Sequence, residues 1–271
     1  MLFPAKEMIR KRKSVRSFEN RPLNDSDKVA LERYFQTASN PFGVPVEFRL
    51  LDAKEHNLSS PVIIGATEYM AAKVSRQKHF EIGYGYSFEA ACLYAASLGI
   101  GTVMLAASLS RATFEKAMEL QADEVMPVAS PVGYPAVKRS VRESLMRKAL
   151  RADDRIPFDA LFFDGSFGTG LRKERAGVVA EALEMARWAP SAANKQPWRA
   201  VVAGDTVHFY EEKSMKDNAL CDIQKVDVGI ALAHFDLTMR EEGHDGRFME
   251  ADPGVNHAEN IQYIISYERT E

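Results

Sequence analysis

Two short segments carry the side chains most able to do chemistry. Residues 12–18 read RKSVRSF and alternate cations with hydroxyl groups, and residues 190–198 read PSAANKQPW and place small polar residues between two prolines. Arginine and serine can bind an anion such as a phosphate through charge-assisted hydrogen bonds. A loop of small residues lets the backbone approach a flat ligand, and Ser191 and Asn194 add short hydrogen-bonding groups.

The basic segment extends toward the N-terminus, since residues 6–16 contain six cations and one acid. Alternate side chains of an extended chain point the same way, so Arg12, Ser14 and Arg16 would share one side while Val15 points inward. This alternation favours a built phosphate site. A solvated basic tail or a nucleic-acid contact would explain the same charges, and both are alternatives at this point.

Composition argues against several classes of protein. The 271-residue chain has a net charge of −3, which argues against a dedicated nucleic-acid partner. We expect no membrane partner, because no apolar run approaches the ~18 residues of a membrane span. The basic start and the two cysteines, which lack metal-like spacing, favour a cytoplasmic location. No metal site is expected, because the six histidines contain no His-x-x-x-His pair.

Apolar periodicity predicts a mixture of helices and strands. Helices are expected near residues 24–38, 84–98, 111–120, 138–150 and 226–242, with another ending at 188. Strands are expected near residues 46–51, 62–66, 102–105, 125–134, 198–203, 207–211, 247–251 and 261–267. Few regular βαβ units are present, so the predicted fold class is α+β, with helices packed around central mixed or antiparallel sheets. Glu89 and Asp227, within two of the helices, are expected to cap them or to reach solvent.

The second half of the chain repeats features of the first. An offset of 152 residues places Ser39 on Ser191, and an offset of 144 residues places Gly85 on Gly229. Short matches between amphipathic helices can arise by chance. Agreement in both order and spacing nevertheless favours an internal duplication.

Together, the two segments resemble those of the nitroreductase family of FMN enzymes. In that family a Pro-Ser-x-x-Asn-x-Gln-Pro-Trp loop follows the first helix, and a basic segment near the N-terminus binds the phosphate end of the flavin. The resemblance implies a nitroreductase-like fold with FMN as cofactor and NAD(P)H as reductant. It assigns cofactor binding to Arg12, Lys13, Ser14, Arg16, Ala106, Ala107, Lys138, Arg139, Pro190, Ser191, Asn194 and Gln196.

Within this set, the resemblance implies different tasks. Arg12 and Ser14 are expected at the phosphate end, and Arg16 at the pyrimidine edge, where its charge would stabilise the reduced flavin. Gln196 is expected to hold the loop. No side chain is expected to be a catalytic acid or base, because the flavin carries the chemistry.

The two halves retain different segments. Residues 1–155 keep the basic segment, but their counterpart of the loop, residues 38–45, reads ASNPFGVP. Residues 156–271 keep the loop, but residues 164–168 read DGSFG where the basic segment would fall. We therefore expect a monomer that acts as a fused pseudo-dimer, with one FMN site built from both halves. Such a site requires Arg12 to lie near Asn194.

The resemblance implies an FMN-dependent NAD(P)H oxidoreductase. A hydride would pass through flavin N5 to a nitroaromatic, a quinone or a similar planar acceptor, with ping-pong kinetics because both half-reactions share one pocket. A flavin-binding sensor or store without turnover is one alternative. A non-nitro flavin chemistry, such as reductive dehalogenation, is another.

Overall fold

Helices and strands alternate along the chain. The structure is a computed structural model that describes residues 3–137, 145, 154–217 and 219–270. The α-helices among these residues are α1 (Ala5–Lys11), α2 (Asp25–Thr37), α3 (Phe80–Ser97), α4 (Arg111–Ala117), α5 (Phe158–Leu161), α6 (Ala180–Arg187) and α7 (Ile223–Glu241). The strands are β1 (Glu47–Asp52), β2 (Glu68–Ser75), β3 (Gly101–Thr102), β4 (Glu124–Val125), β5 (Ala129–Gly133), β6 (Phe162–Asp164), β7 (Trp198–Ala203), β8 (Thr206–Glu212), β9 (Gly246–Met249) and β10 (Ile261–Arg269).

The strands form two five-stranded sheets, which confirms the α+β class. The first sheet has the order β1-β2-β5-β3, with β4 paired to β2, and the second has the order β6-β7-β8-β10-β9. All of these pairs are antiparallel except β6 with β7. Without β6, the path β7-β8-β10-β9 repeats the path β1-β2-β5-β3 in chain order and in direction.

Helices α3 and α7 pack against each other at the centre of the molecule and are buried over most of their length. At Gly85, α3 approaches the carbonyl oxygen of Val226 so closely that a Cβ atom would overlap it. At Gly229, α7 approaches the carbonyl oxygen of Ile82 in the same way. The two contacts are related by an offset of 144 residues along the chain.

Helix α1 lies against helices of the second half of the chain. The Lys6 backbone N–H donates to Glu241 at 2.8 Å, and the Lys6 ammonium pairs with Glu242 at 2.9 Å. Arg10 pairs with Glu181. The start of the basic segment is therefore docked on the protein, so its interpretation as a solvated tail is wrong.

One predicted strand is wrong. Residues 62–66 form turns and irregular backbone, with Ile64 in an isolated bridge, and the second strand of the first sheet is β2 instead. Pro61 and Gly65 interrupt the apolar run, because proline and glycine are disfavoured inside strands. The sequence of β2 obscures its burial, since it contains Lys73, a buried cation paired with Glu124 at 3.0 Å.

Several other boundaries differ from the sequence predictions. The strand predicted at 125–134 is divided into β4 and β5, and the strand predicted at 102–105 is reduced to β3. Helices α1 and α5 and strand β6 were not predicted. The predicted helix 138–150 lies outside the described residues except for Leu145. Among the described residues, no helix is long and apolar enough to cross a membrane.

Candidate functional site

A cavity of about 920 Å³ lies between four parts of the chain. They are the basic segment, residues 103–108 after β3, the loop at 190–198 and the start of α7. This volume falls within the ~300–1,000 Å³ typical of ligand and cofactor pockets. The lining contains most of the residues assigned from the sequence, namely Arg12, Lys13, Ser14, Arg16, Ala106, Ala107, Pro190, Ser191 and Asn194. Arg12 and Asn194 therefore share one cavity. Lys138 and Arg139 lie outside the described part of the chain.

The basic segment forms one wall because its chain becomes extended where α1 ends. Ser14 bridges Thr102 of β3, and the Val15 backbone N–H donates to the Thr102 carbonyl at 3.0 Å. Val15 is buried, whereas Arg12, Ser14 and Arg16 face the cavity. Arg12, Ser14 and Arg16 therefore share one space, as the expected alternation requires, although Lys13 lines the same cavity.

Arg12 belongs to a buried ionic network that also contains Glu89 and His234. Its Nε lies 3.1 Å from Oε1 of Glu89 on α3, and Nε2 of His234 on α7 lies 2.9 Å from the same oxygen. Nδ1 of His234 lies 2.9 Å from the carbonyl oxygen of Met185. Glu89 and His234 are buried. The expectation that Glu89 caps a helix or reaches solvent is wrong, because this carboxylate is enclosed between two helices.

The loop at 190–198 is fixed by its own polar side chains. The Gln196 backbone N–H donates to Oγ of Ser191 at 2.8 Å, and Oε1 of Gln196 accepts from the Ile156 backbone N–H at 2.9 Å. Nδ2 of Asn194 donates to the Asp154 carbonyl at 3.1 Å. Of the loop residues assigned from the sequence, Gln196 alone is absent from the described cavity wall. These hydrogen bonds agree with the expected loop-holding task, and the cofactor-binding assignment of Gln196 stays a prediction.

Three non-glycine residues of this loop have left-handed backbone conformations. The φ angles are +49° at Ala193, +55° at Asn194 and +50° at Gln196. Such conformations cost on the order of 1–3 kcal/mol each and persist where the surroundings fix them. The hydrogen bonds of Ser191 and Gln196 supply that restraint.

Asp227 places a carboxyl group in the cavity wall from the first turns of α7. It is 3% exposed, and its Oδ2 accepts from the Ala192 backbone N–H at 3.0 Å. Burial, with smaller contributions from the nearby Asp222 and Glu211, raises the pKa of Asp227 well above its ordinary value. The expectation that Asp227 caps the helix or reaches solvent is therefore wrong, since Asp222 is the residue that caps α7.

Residues 103–108, the loop after β3, line the cavity, and an arginine outside the predicted site fixes this loop. Nη2 of Arg111 donates to the Ala106 carbonyl at 2.6 Å, and Nη1 donates to the Met126 carbonyl at 2.7 Å. Leu105 and Ala129 exchange two backbone hydrogen bonds of 2.8 and 3.1 Å. Nothing in the sequence distinguished Arg111 from other helix-surface arginines.

An arginine and a tryptophan extend the cavity wall on the side of the loop at 190–198. The Arg155 guanidinium carbon lies 5.4 Å from the Trp188 ring centroid, and Nη2 of Arg155 donates to the Trp188 carbonyl at 3.2 Å. This distance is within the range of a cation–π interaction. Together they offer a cation and an aromatic face, which a planar anionic molecule could contact.

The described lining is rich in hydrogen-bond donors and positive charge. Its cations are Arg10, Lys11, Arg12, Lys13, Arg16 and Arg155, and its one acid is Asp227. Apolar side chains such as Val103, Leu105, Val226 and Ile230 cover other parts of the wall. Cations, hydroxyls and exposed backbone beside an apolar surface fit a flat ring system with an anionic tail, as in FMN. The described residues contain no cluster of His, Cys, Asp or Glu suited to a metal ion.

Comparison with known families agrees with this geometry. Residues 5–239 match the family model described as "Putative TM nitroreductase". Because the match spans most of the sequence, the chain belongs to this nitroreductase family. A search of curated proteins found no match.

Solved structures give a more particular comparison. A protein described as a putative nitroreductase from Thermotoga maritima is 21% identical, with a TM-score of 0.65 over 99% of this chain and 94% of that one. The two proteins share the fold. An FMN-dependent nitroreductase from Clostridium difficile is 13% identical over 52% of this chain and 94% of its own, with a TM-score of 0.42. An iodotyrosine deiodinase bound to FMN and 3-iodo-L-tyrosine is 14% identical over 51% of this chain and 92% of its own, with a TM-score of 0.42.

Proposed function

We propose that the protein is an FMN-dependent oxidoreductase that takes electrons from NAD(P)H and reduces a planar acceptor such as a nitroaromatic or a quinone. One observation carries this proposal: the basic segment and the loop at 190–198, far apart in sequence, line the same cavity. Membership of the nitroreductase family supports it. The donor-rich lining and the apolar wall support FMN as the bound group.

The chain's own groups would bind and orient the cofactor. Arg12 and Ser14 would hold the phosphate, because guanidinium and hydroxyl donors suit its oxygens. Ser191 and Asn194 would contact the flavin from the opposite side. Backbone at Ala106, held in place by Arg111, would face the ring. Bound FMN would supply hydride acceptance and donation at N5.

Arg16 is our candidate for tuning the flavin. A cation at the pyrimidine edge stabilises the negative charge that accompanies reduction, because opposite charges attract strongly in a partly dry cavity. Replacing Arg16 with alanine should therefore lower the midpoint potential of the bound flavin. An unchanged potential would remove this role from Arg16.

We also infer that the chain is an internal duplication with halves at residues 1–155 and 156–271, acting as a monomer with one FMN site. The repeated strand path in the two sheets supports this division. The reciprocal contacts of Gly85 with Val226 and of Gly229 with Ile82 support it independently.

Turnover is the test of the proposed activity. The purified protein, loaded with FMN, should consume NADH or NADPH steadily when a quinone or a nitroarene is added. Binding of FMN without steady consumption would instead favour a flavin sensor or store. If a halogenated aromatic were reduced while quinones and nitroarenes were not, the chemistry would be reductive dehalogenation. A protein that binds no FMN would contradict the proposal.

A further inference from the structure

The buried network behind Arg12 joins three parts of the chain. Glu89 comes from α3, His234 from α7, and Arg12 from the basic segment. Glu89 is 0% exposed and His234 is 1% exposed, so water cannot screen their interaction. One oxygen of Glu89, Oε1, faces both Arg12 and His234, while Oε2 is buried without a hydrogen-bond donor among the described residues.

The hydrogen-bond partners of His234 determine how many protons the network holds. Nδ1 faces the Met185 carbonyl at 2.9 Å, and a carbonyl only accepts, so Nδ1 must carry a hydrogen. Nε2 lies 2.9 Å from Oε1 of Glu89. An ionised carboxylate facing an unprotonated Nε2 would oppose two lone pairs, so one proton must lie between these atoms. The Glu89–His234 pair is therefore neutral as a whole, whichever atom holds that proton more closely.

We propose that Glu89 and His234 are positioning residues that fix Arg12 at the cavity wall without cancelling its charge. An isolated Glu89 would neutralise Arg12. The shared proton prevents this, so the network keeps a net charge of +1 beside the cavity. Among the described residues, the Arg12 guanidinium contacts Glu89 through Nε, and Arg12 lines the cavity, where its terminal Nη donors can serve an anionic ligand. The inference rests on the proposed function, because it takes the FMN phosphate as that ligand.

The network is present on one side of the molecule only. At the offset of 144 residues, Glu89 corresponds to Ala233 and His234 corresponds to Ala90. If the fold needed buried charges between α3 and α7, both positions would be expected to carry them. The pair instead accompanies Arg12, which links it to the cavity.

The net charge of Arg12, Glu89 and His234 together is expected to differ among three variants, which makes the proposal testable. His234→Gln removes the shared proton and leaves an ionised Glu89 against Arg12, so the network loses its +1 charge. Glu89→Gln keeps +1, because a neutral histidine then faces a neutral amide. The amide oxygen of the variant can still face Nε of Arg12, so the position of Arg12 is kept as well. The double variant, Glu89→Gln with His234→Gln, also keeps +1. Adding Glu89→Gln to His234→Gln should therefore restore the charge of the network that His234→Gln alone removes.

The measurement is the dissociation constant of FMN and of riboflavin, which lacks the phosphate, for the apoprotein of each variant. His234→Gln should weaken FMN binding on the order of tenfold, because it removes a unit charge a few ångströms from the phosphate. Riboflavin binding should stay unchanged. Glu89→Gln and the double variant should bind FMN within about threefold of wild type, given the preserved charge. A double variant weaker than both single variants would overturn the proposal.

Tyr86→Phe is the matched control for lost buried polarity. The Tyr86 hydroxyl donates to Oδ2 of Asp236 at 2.6 Å, also between α3 and α7 and also buried. This variant should lower the melting temperature without changing the ratio of FMN affinity to riboflavin affinity. A change in that ratio as large as that of His234→Gln would show that the network acts only through stability, which would overturn the proposal.

A flavin-independent measurement separates this inference from the proposed function. Nitrogen-15 NMR of His234 should show hydrogen on Nδ1. In addition, either the NMR should show hydrogen on Nε2, or infrared spectroscopy should show a carboxylic acid carbonyl band that disappears in Glu89→Gln. A neutral His234 beside an ionised Glu89 would overturn the inference. If the protein bound no FMN but this proton were found, the proposed function would fail while the proton assignment stood.

Discussion

Under the proposed duplication, the cavity has a counterpart region in the other half of the molecule, and aromatic side chains fill that region. Four lining residues of the cavity are Met104, Asn194, Ile223 and Ile230. The residues at their counterpart positions, by the offsets of 144 and 152, are Phe248, Phe42, His79 and Tyr86. The Phe42 ring centroid lies 5.1 Å from that of Phe248, 6.0 Å from Tyr86 and 6.5 Å from His79. Where the first region is open, the second is filled by an aromatic cluster centred on Phe42.

The helix residues that contact the loop at 190–198 and its counterpart, residues 38–45, also differ. Asp227 accepts from the backbone of the loop at 190–198 and stands between it and α7. Its counterpart is Gly83, where the side chain of Val44 occupies the position that a Cβ would take. The counterpart loop therefore packs directly against the helix at Gly83, whereas the loop at 190–198 is hydrogen-bonded to the carboxyl group of Asp227. Under the proposed duplication, a few side chains would decide whether the same backbone framework keeps or loses a site.

The symmetric part of this comparison can be tested at the helix crossing. Gly85→Ala and Gly229→Ala should each lower the free energy of unfolding by about 3 kcal/mol, because the added methyl group overlaps a backbone carbonyl that cannot rotate away. Ser97→Ala, at an exposed position of α3, should change it by less than about 0.5 kcal/mol. Urea denaturation would measure all three. Reciprocal packing would be contradicted if one glycine variant were tolerated and the other were not.

The asymmetric part can be tested at the counterpart positions 42 and 194. Phe42→Ala should lower the free energy of unfolding by about 2–4 kcal/mol, since it removes a half-buried ring from the cluster, and FMN affinity should stay unchanged. Asn194→Ala should weaken FMN binding, with a smaller loss of stability, because Asn194 lines the cavity. Thermal unfolding and FMN titration of both variants would compare the effects. Weaker FMN binding in Phe42→Ala would contradict the assignment of a filled second position.

Replacing Asp227 should change the stability of the protein by a smaller amount, which depends on pH. Burial raises the pKa of Asp227, so the folded state disfavours its ionised form. The wild type should therefore lose stability as the pH rises above 3.8, the ordinary value for this carboxyl, until the folded protein also releases the proton. Asp227→Asn keeps an acceptor for the Ala192 N–H but does not ionise. Its melting temperature should match wild type in acid and exceed it increasingly toward neutral pH, whereas a pH-independent difference would contradict this account.

Local sequence was enough to predict much of the cavity wall. The alternation in residues 12–16 and the short polar side chains of the loop at 190–198 do not depend on the rest of the chain. Both segments also lie in the cavity lining. The α+β class followed from the mixture of periodicities, and α2, α3, α4 and α7 from apolar runs with recognisable ends.

The remainder depended on distant contacts. Glu89 is buried between helices from opposite halves, and Asp227 is buried beside the backbone of Ala192. A helical pattern does not show which polar residue finds a partner. Strand β2 was missed because the buried cation Lys73 finds its acid, Glu124, on another strand. The aromatic filling around Phe42 becomes visible only when the two loops are compared in three dimensions.

The flavin content of the purified protein tests the central claim most directly. Native mass spectrometry, with flavin and protein absorbance as a check, would count the FMN bound to each chain. The account predicts one FMN per monomeric chain, lost on dilution of Arg12→Ala but retained in Phe42→Ala. Two FMN per chain would contradict the single shared cavity.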